Sequence, residues 1–267
     1  MKVVRVTAEN VSQFRDGIVA LESLASYPLG SDFFRIDHGK DYFSFFNRMG
    51  MLRYYVMLHN LRVVAVAAAV LRSLPLTTGV SANKAWYLCD LKVHPDFRGQ
   101  TIPQKIFGAV CIPNYLRCRR GFALSMNPAD GSPNRIVALM AHFRWLPFEL
   151  VGQLSLFSLS FQQLQEHRKR IEIHFGPVSL LSLAGKKDLI LQSTGKPMGL
   201  LHLQHGPCGQ PGNSDPTPGF THMFCVPDQH PLRQELAAAN IHPDSTVSVL
   251  GHRMSKCDWT FVLTSDI

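Results

Sequence analysis

The chain has 267 residues, 46% hydrophobic and 17% charged, enough to build a substantial core in one large or two modest domains. Its 27 Lys and Arg against 19 Asp and Glu leave a formal net charge of +8, favouring an acidic partner such as a phosphorylated cofactor, nucleic acid or an anionic lipid surface. That composition argues against a disordered chain, and no apolar run reaches the ~18 residues of a membrane span.

In chain order, "KVVRV" predicts a short strand. "NVSQFRDGIVALESLA" predicts a helix capped at Asn10 or Ser12, with apolar residues at helical spacing. "DYFSFFNRMG" predicts a second helix closed by Gly50. The run from Leu52 to Leu74 divides into two apolar strands joined at His59-Asn60, a hairpin. "AWYLCDLKV" is the expected central strand. "IPQKIFGAVCIPNYLRCR" follows as a helix, with Pro103 tolerated in its first turn and a kink expected at Pro113. "GFALSM" predicts a strand, "SPNRIVALMAHFRW" a helix, and "PFELVGQLSLFSLSF" a strand or hairpin. The sum is a mixed α/β fold with a mostly antiparallel sheet.

The basic residues are scattered apart from clusters at Arg117 to Arg120 and Arg168 to Arg170, whereas a nucleic-acid interface gathers them into a stripe, so nucleic acid is not expected. "MKVVRVTAENVSQF" breaks off into polar residues too early for a secretory core. Six cysteines without a CxxC pair suit reduced thiols. The expectation is a cytoplasmic protein without a membrane association.

The joint between the central strand and its helix, "LCDLKVHPDFRGQTIPQKIF" from Leu88 to Phe107, carries the chemistry. A loop feeding a helix N-terminus presents unpaired N–H groups beside the positive end of the helix dipole, where phosphate is favoured. Arg98 adds a charge that reaches phosphate oxygens.

Within it, "VHPDFRGQTI" resembles the acetyl-CoA signature of the GNAT superfamily of N-acetyltransferases, V-x-P-x-[YF]-R-G-x-G-I-G. The surrounding elements fall in that family's order, and the resemblance covers residues 1 to about 160. Thr101 and Pro103 depart from it. Thr101 brings a side chain where backbone approaches the pyrophosphate, and Pro103 removes a donor. The resemblance implies a GNAT acyl-CoA N-acyltransferase fold with acetyl-CoA as co-substrate. Leu91, Lys92 and Val93 would lie along the pantetheine arm, and Arg98, Gly99, Gln100, Thr101 and Ile102 would hold the pyrophosphate. Asn127 and Asn134 complete the implied cofactor contacts.

The implied reaction is direct attack by an amine, of a small molecule or a protein, on the thioester. That needs a base for the ammonium proton and a donor for the oxyanion. Asp90 is the candidate base, acting directly or through water; the plain alternative is that it pairs with a neighbouring cation or caps a loop. The family's tyrosine acid is missing from "LMAHFRW", where Met140 or Ala141 stands, which leaves His142 as the nearby candidate and unaided thiolate departure as the alternative. Strand alternation is expected to turn Cys89 and Asp90 to opposite faces, making Cys89 a buried small hydrophobe.

Past residue 165, "DLILQSTGKPMGLLHLQHG" predicts a second hairpin, followed by a strand through Val226-Pro227-Asp228 into a helix, and "TVSVLGHRM" and "DWTFVLTSD" are expected to supply closing strands. Val93 stands 38 residues after Tyr55 and Val226 stands 37 after Leu189, which suggests a degenerate second copy. The expected division is a GNAT acyl-CoA-binding domain over 1–165 and a smaller GNAT-like half over 166–267, with an unrelated accessory domain as the alternative; a homodimer is compatible with either. His202, His205 and Cys208, with His222 and Cys225, have zinc-like spacing, but residues three apart on a strand diverge, so no metal is expected. Pocket walls are expected from Ser31 to Gly50, Thr77 to Lys84 and the last strands. The aromatics at Phe33, Phe34, Tyr42, Phe43, Phe45 and Phe46 line the cleft or pack in the core. The competing reading of the whole is a catalytically inactive acyl-CoA-binding or regulatory module.

Overall fold

The apolar run in the first third of the chain folds back on itself. β4 (Met51–His59) and β5 (Arg62–Ser73) pair antiparallel, with His59 opposite Arg62 across a two-residue turn. Both turn residues, Asn60 and Leu61, have positive φ, 46° and 67°. That is the twist a tight hairpin needs and a conformation leucine resists. Leu61 is 91% exposed, so nothing packs to compensate. Leu61→Gly is accordingly expected to stabilise the protein by about 0.5–1 kcal/mol, measured as a higher urea midpoint with unchanged slope.

The structure is a computed structural model describing residues 1–75, 84–143, 146–212 and 215–267. The expected pocket segment Thr77 to Lys84 lies, apart from Lys84, outside the described residues. β5 is buried on both sides, as its unbroken apolar sequence requires. Val66, Ala68 and Val70 pack with Phe14, Ile18 and Leu21 of α1 (Val11–Glu22). Ala65, Ala67 and Ala69 turn the other way, onto Ile102, Ile106 and Val110 of α3 (Ile102–Tyr115). Helices thus cover both faces, and small alanines face α3.

The remaining elements are β1 (Lys2–Val6), β2 (Tyr27–Leu29), β3 (Asp32–Asp37), α2 (Ser44–Asn47), β6 (Lys84–Val93), β7 (Gly121–Met126), α4 (Arg135–Ala141), β8 (Glu149–Leu159), α5 (Phe161–Phe175), β9 (Ser179–Leu181), β10 (Asp188–Leu191), β11 (Leu200–Gln204), β12 (Thr221–Pro227), α6 (Pro231–Ala238) and β13 (Ser245–His252). The large sheet has ten strands in the order β1-β4-β5-β6-β7-β13-β8-β12-β11-β9, and a small one has the order β10-β3-β2. The large sheet is mixed: β6/β7 and β11/β12 are parallel and the other pairs antiparallel. Residue 165 falls inside α5, and strands from both sides of it share the sheet, with β13 inserted between β7 and β8. Among the described residues no helix is long and apolar enough to cross a membrane.

Several local expectations differ from the outcome. The second hairpin is reduced to one bridge, Ile190 opposite Pro197 across the turn over 193–196, and its two apolar segments do not pair: β10 pairs with β3 in the small sheet, while β11 pairs with β9 and β12. All five residues of β11 are buried, and a strand in that position takes a partner on each edge rather than one neighbour in sequence. "YPLGSDFFRID" forms β2 and β3 around Gly30, whose φ of 56° only glycine adopts freely. The final segment makes two 3-10 turns, Trp259–Phe261 and Thr264–Asp266, instead of a strand, the first capped by Asp258 accepting from the Thr260 N–H. α3 runs through Pro113 to Tyr115.

Candidate active site

β6 carries the site because it is irregular at the point where its neighbours change. Against β5, Val66 faces Lys92 and Ala68 faces Cys89, so Ala67 alone spans Asp90 and Leu91. This is a β-bulge, and Asp90 takes a φ of 55° within it. On its other edge β6 pairs with β7 over Trp86, Tyr87 and Leu88 only, opposite Gly121, Phe122 and Ala123. Beyond Leu88 the two parallel strands part.

A cavity of about 670 Å³ occupies that opening. Its walls include Ile106, Phe107 and Val110 of α3 on one face of the sheet, and Tyr27, Phe34 and Leu189 of the small sheet on the other. The cavity therefore passes through the sheet, between Leu88–Lys92 of β6 and Ala123–Met126 of β7, with Asn127 just beyond the strand. Two molecules entering from opposite faces would meet at the bulge.

A buried polar cluster sits there. Asp90 accepts hydrogen bonds from the Tyr54 hydroxyl and from Lys92 Nζ, and the Tyr42 hydroxyl lies 2.9 Å from its Oδ2. Glu22, at the end of α1, accepts from the same Lys92 at 2.6 Å and from Tyr42 at 2.7 Å. The Tyr42 hydroxyl has one proton for two carboxylates, so it serves one of them at a time. Burial raises the Glu22 carboxyl above the usual range, opposed by Lys92, and Glu22 Oε1 is buried without a partner. Lys92 is held charged: burial disfavours the ammonium, but Asp90, then Tyr27 and Glu22, outweigh it and raise its pKa well above normal. His38 lies beside this group, Nδ1 3.1 Å from the Lys186 carbonyl and Nε2 4.0 Å from Glu22; burial lowers it to about 4, so it is a neutral imidazole at pH 7.

The sequence-derived candidates separate in space. Asp90, Leu91 and Lys92 line the cavity, as does Asn127. Asn127 Oδ1 accepts from Ser248 at 2.7 Å and from Asn134 at 2.9 Å, and its amide donates to Thr246. Asn134 is the cap of α4, accepting from the Ile136 and Val137 N–H groups while its amide donates to Met126. Its polar atoms are thus occupied in joining α4 to β7. His142 is at the far end of α4, exposed, with Nδ1 2.6 Å from the Ala138 carbonyl, and it is not among the cavity-lining residues.

Arg98, Gly99, Gln100, Thr101 and Ile102 form the turn into α3, with Gly99 at φ 75° and Arg98 Nε donating to the Val93 carbonyl. Among the described residues no protein acceptor meets the N–H groups of Gly99, Gln100 and Thr101, and the Thr101 side chain makes no cap bond. These donors are free for an anion. Pro103 is in the first helical turn, where no intrahelical donor is required.

Cys89 differs from the expected alternation. It packs with the α1-side core, the same side on which Asp90 meets Tyr42 and Tyr54, because the bulge shifts the phase of the strand. Burial pushes its thiol up, so it stays protonated. The aromatics serve both expected roles: Tyr42, Phe45 and Phe46 are core residues, and Phe45 and Phe46 also line the cavity. His202 and His205 diverge: His202 meets Thr264 at 3.0 Å and His205 stacks on Phe175 at 4.1 Å.

No family model matches the chain. Uncharacterized protein L340 of Acanthamoeba polyphaga mimivirus is 23% identical over 235 residues, 85% of this chain and 68% of that protein. Among solved structures, a tandem GNAT protein from the clavulanic acid biosynthesis pathway aligns over 94% of this chain and 97% of its own, at 13% identity and a TM-score of 0.49. The chain is similar to the GNAT acetyltransferases. A probable N-acyltransferase from Enterococcus faecalis is also similar, over 94% of this chain and 71% of its own, at 9% identity and a TM-score of 0.45. An aminoglycoside N-acetyltransferase in complex with CoA aligns over 53% of this chain and 87% of its own, at 13% identity and a TM-score of 0.34.

Residues that sequence reasoning passed over, Glu22, His38 and Tyr54, supply much of the polar cluster, together with Tyr42, which it had read only as an aromatic of the cleft or core. One of them had a signal. Glu22 continues the stripe Phe14, Ile18, Leu21 on α1, and a carboxylate on an apolar face needs a buried partner.

Proposed function

We propose that this protein is a GNAT-type N-acyltransferase that moves an acetyl or other short acyl group from acyl-CoA to a primary amine by direct attack. The observation that carries the reading is the separation of β6 from β7 beyond Leu88, beside a bulge, with unbonded N–H groups at the start of the helix that follows. The free N–H groups of Gly99, Gln100 and Thr101, with Arg98, suit a diphosphate, and the residues of the turn fit it without rearrangement: a Cβ placed at Gly99 would meet open space. The pantetheine arm would run beside Leu91, Lys92 and Val93 into the gap between the strands. Asn127 would stand across that gap, just beyond β7.

In this reading the amine arrives from the small-sheet face as an ammonium and first loses a proton to Asp90, directly or through water. The neutral amine attacks the thioester carbon; a C–N bond forms, the C–S bond breaks, and the departing thiolate takes up the second N–H proton that the new amide loses. Lys92 and Tyr54 hold the Asp90 carboxylate in one orientation, which is what a base at the meeting point of two substrates requires. His142 is assigned no step. The C-terminal part, in a tandem arrangement, would supply β13 to the sheet and the far wall of the acceptor side.

Acetyl-CoA is expected to raise the melting temperature: a ligand at 100 times its Kd adds about 2.7 kcal/mol to the folded state. Free-thiol release with a panel of amines then reports turnover. Absence of any thermal shift at millimolar acetyl-CoA would sink the cofactor assignment. A shift without turnover on any amine would select the second reading, an acyl-CoA-binding module, which the lack of the family's tyrosine favours.

A further inference from the structure

Among the described residues, the far compartment of the cavity contains a buried lysine with no carboxylate paired to it. Lys187 lies just before β10, is 7% exposed, and lines the cavity on the small-sheet face. Its Nζ rests 4.8 Å from the centre of the Phe45 ring. Among the described residues no hydrogen-bond acceptor or carboxylate is within bonding reach of it. The nearby carboxylate, Asp266, is already taken by Arg72 at 3.0 Å and Arg48 at 3.3 Å. A buried ammonium with an aromatic ring beside it and no carboxylate within bonding reach destabilises the empty protein, and an anion entering the cavity removes that cost.

The surroundings define the rest of the ligand. Tyr27, Phe34, Ile36, Leu189 and Met223 make the compartment largely apolar. His202, which also lines it, has a fixed tautomer. Thr264 Oγ1 spends its proton on the Met223 carbonyl at 3.1 Å, so it accepts from His202 Nδ1 at 3.0 Å and leaves His202 Nε2 as an acceptor. Burial keeps that imidazole neutral.

Resting on the transferase reading, we propose that the acceptor is an amine with an apolar body and a carboxylate, as in a hydrophobic amino acid, and that Lys187 receives the carboxylate while the amine points to the bulge. The compartment thereby selects for an anionic end in a site whose walls would otherwise take any apolar amine. Lys187 is a specificity residue rather than a participant in acyl transfer.

Electrostatics agree with that geometry. Burial, with Arg48 as the next cause, lowers Lys187 to about 7, against opposing pulls from Asp266 and Glu22. Lys92 and the neutral His202 also border it. The folded value lies below the unfolded one, so the charge penalty is fully present below about pH 7 and is relieved as pH rises towards the usual lysine range.

The test uses the full chain and two paired probes, 4-phenylbutyrate and its alcohol 4-phenylbutanol, titrated by calorimetry against the wild type, Lys187→Met and Lys187→Gln. The carboxylate is expected to bind the wild type about tenfold to a hundredfold more tightly than the alcohol, and the preference is expected to vanish in both variants. Lys187→Met is also expected to melt higher than the wild type at pH 7, with the gap closing at pH 10; Lys187→Gln provides the comparison if the methionine variant misfolds. Equal binding of the two probes, no binding of either, or a preference that survives substitution would each overturn the proposal. Acetyl-CoA titration in parallel separates the two readings. Lost acetyl-CoA binding with an intact carboxylate preference sinks the transferase and leaves the anion site, whereas the reverse sinks only the acceptor assignment.

Discussion

Asp90→Asn is expected to lower acyl transfer by about 10²- to 10⁴-fold, the usual worth of a positioned general base, while leaving the acetyl-CoA thermal shift unchanged. Asparagine has the same shape and its oxygen still accepts from Tyr54; its amide then faces Lys92, but that ammonium retains Glu22 at 2.6 Å, so the fold should survive. The cofactor contacts proposed for the helix N-terminus are backbone donors between Gly99 and Thr101, away from the substituted side chain. A kcat loss at constant cofactor affinity therefore isolates proton transfer. Comparison with Glu22→Gln divides the cluster further. Glu22 is not a cavity-lining residue, so its loss should shift the pH profile through Lys92 and Tyr42 and leave most of the rate. Turnover by Asp90→Asn at the wild-type rate would return Asp90 to the plain role of an ion-pair partner for Lys92.

The second large effect is on stability. Asp266→Ala is expected to cost about 3–5 kcal/mol, because it strands two guanidinium groups that share one carboxylate in the interior. Arg72 is 5% exposed and Asp266 3%, so water does not replace the lost partner. Arg72 Nη1 and Arg48 Nε are already buried without acceptors, which leaves the pair little reserve. The loss would extend to the cavity, since the Tyr87 hydroxyl donates to the Asp266 carbonyl at 3.0 Å and the final turn closes one wall. Urea titration reads it directly; a change below about 1 kcal/mol would mean the arginines find other partners.

Which features could be read in advance follows from the range of the interactions that fix them. The β4/β5 hairpin was plain in an apolar run with a turn residue in its middle. The turn from β6 into α3, with Gly99 and the proline in the first helical turn, was equally readable, being set by residues within one helical turn of one another. The alternation rule failed at Cys89 and Asp90 because one extra residue in β6 changes the phase, and nothing local in "LCDLKV" announces it. The partners of Asp90 were hidden for another reason. Tyr54 and Asp90 are 36 residues apart, as Arg72 and Asp266 are 194 apart outside that cluster, so neither pairing shows in the residues around either member.

The sequence by itself determined most secondary elements of the first half, β2 and β3 excepted, their α/β character and the free donors at the start of α3, because backbone preferences and short-range periodicity act over a few residues. Tertiary structure alone decided where β10, β11 and β13 pair, that the cleft passes through the sheet, and that Lys187 faces it with no carboxylate partner among the described residues. Strand partners and buried charges are chosen by what else must be covered or neutralised. That choice exists only after distant segments have met.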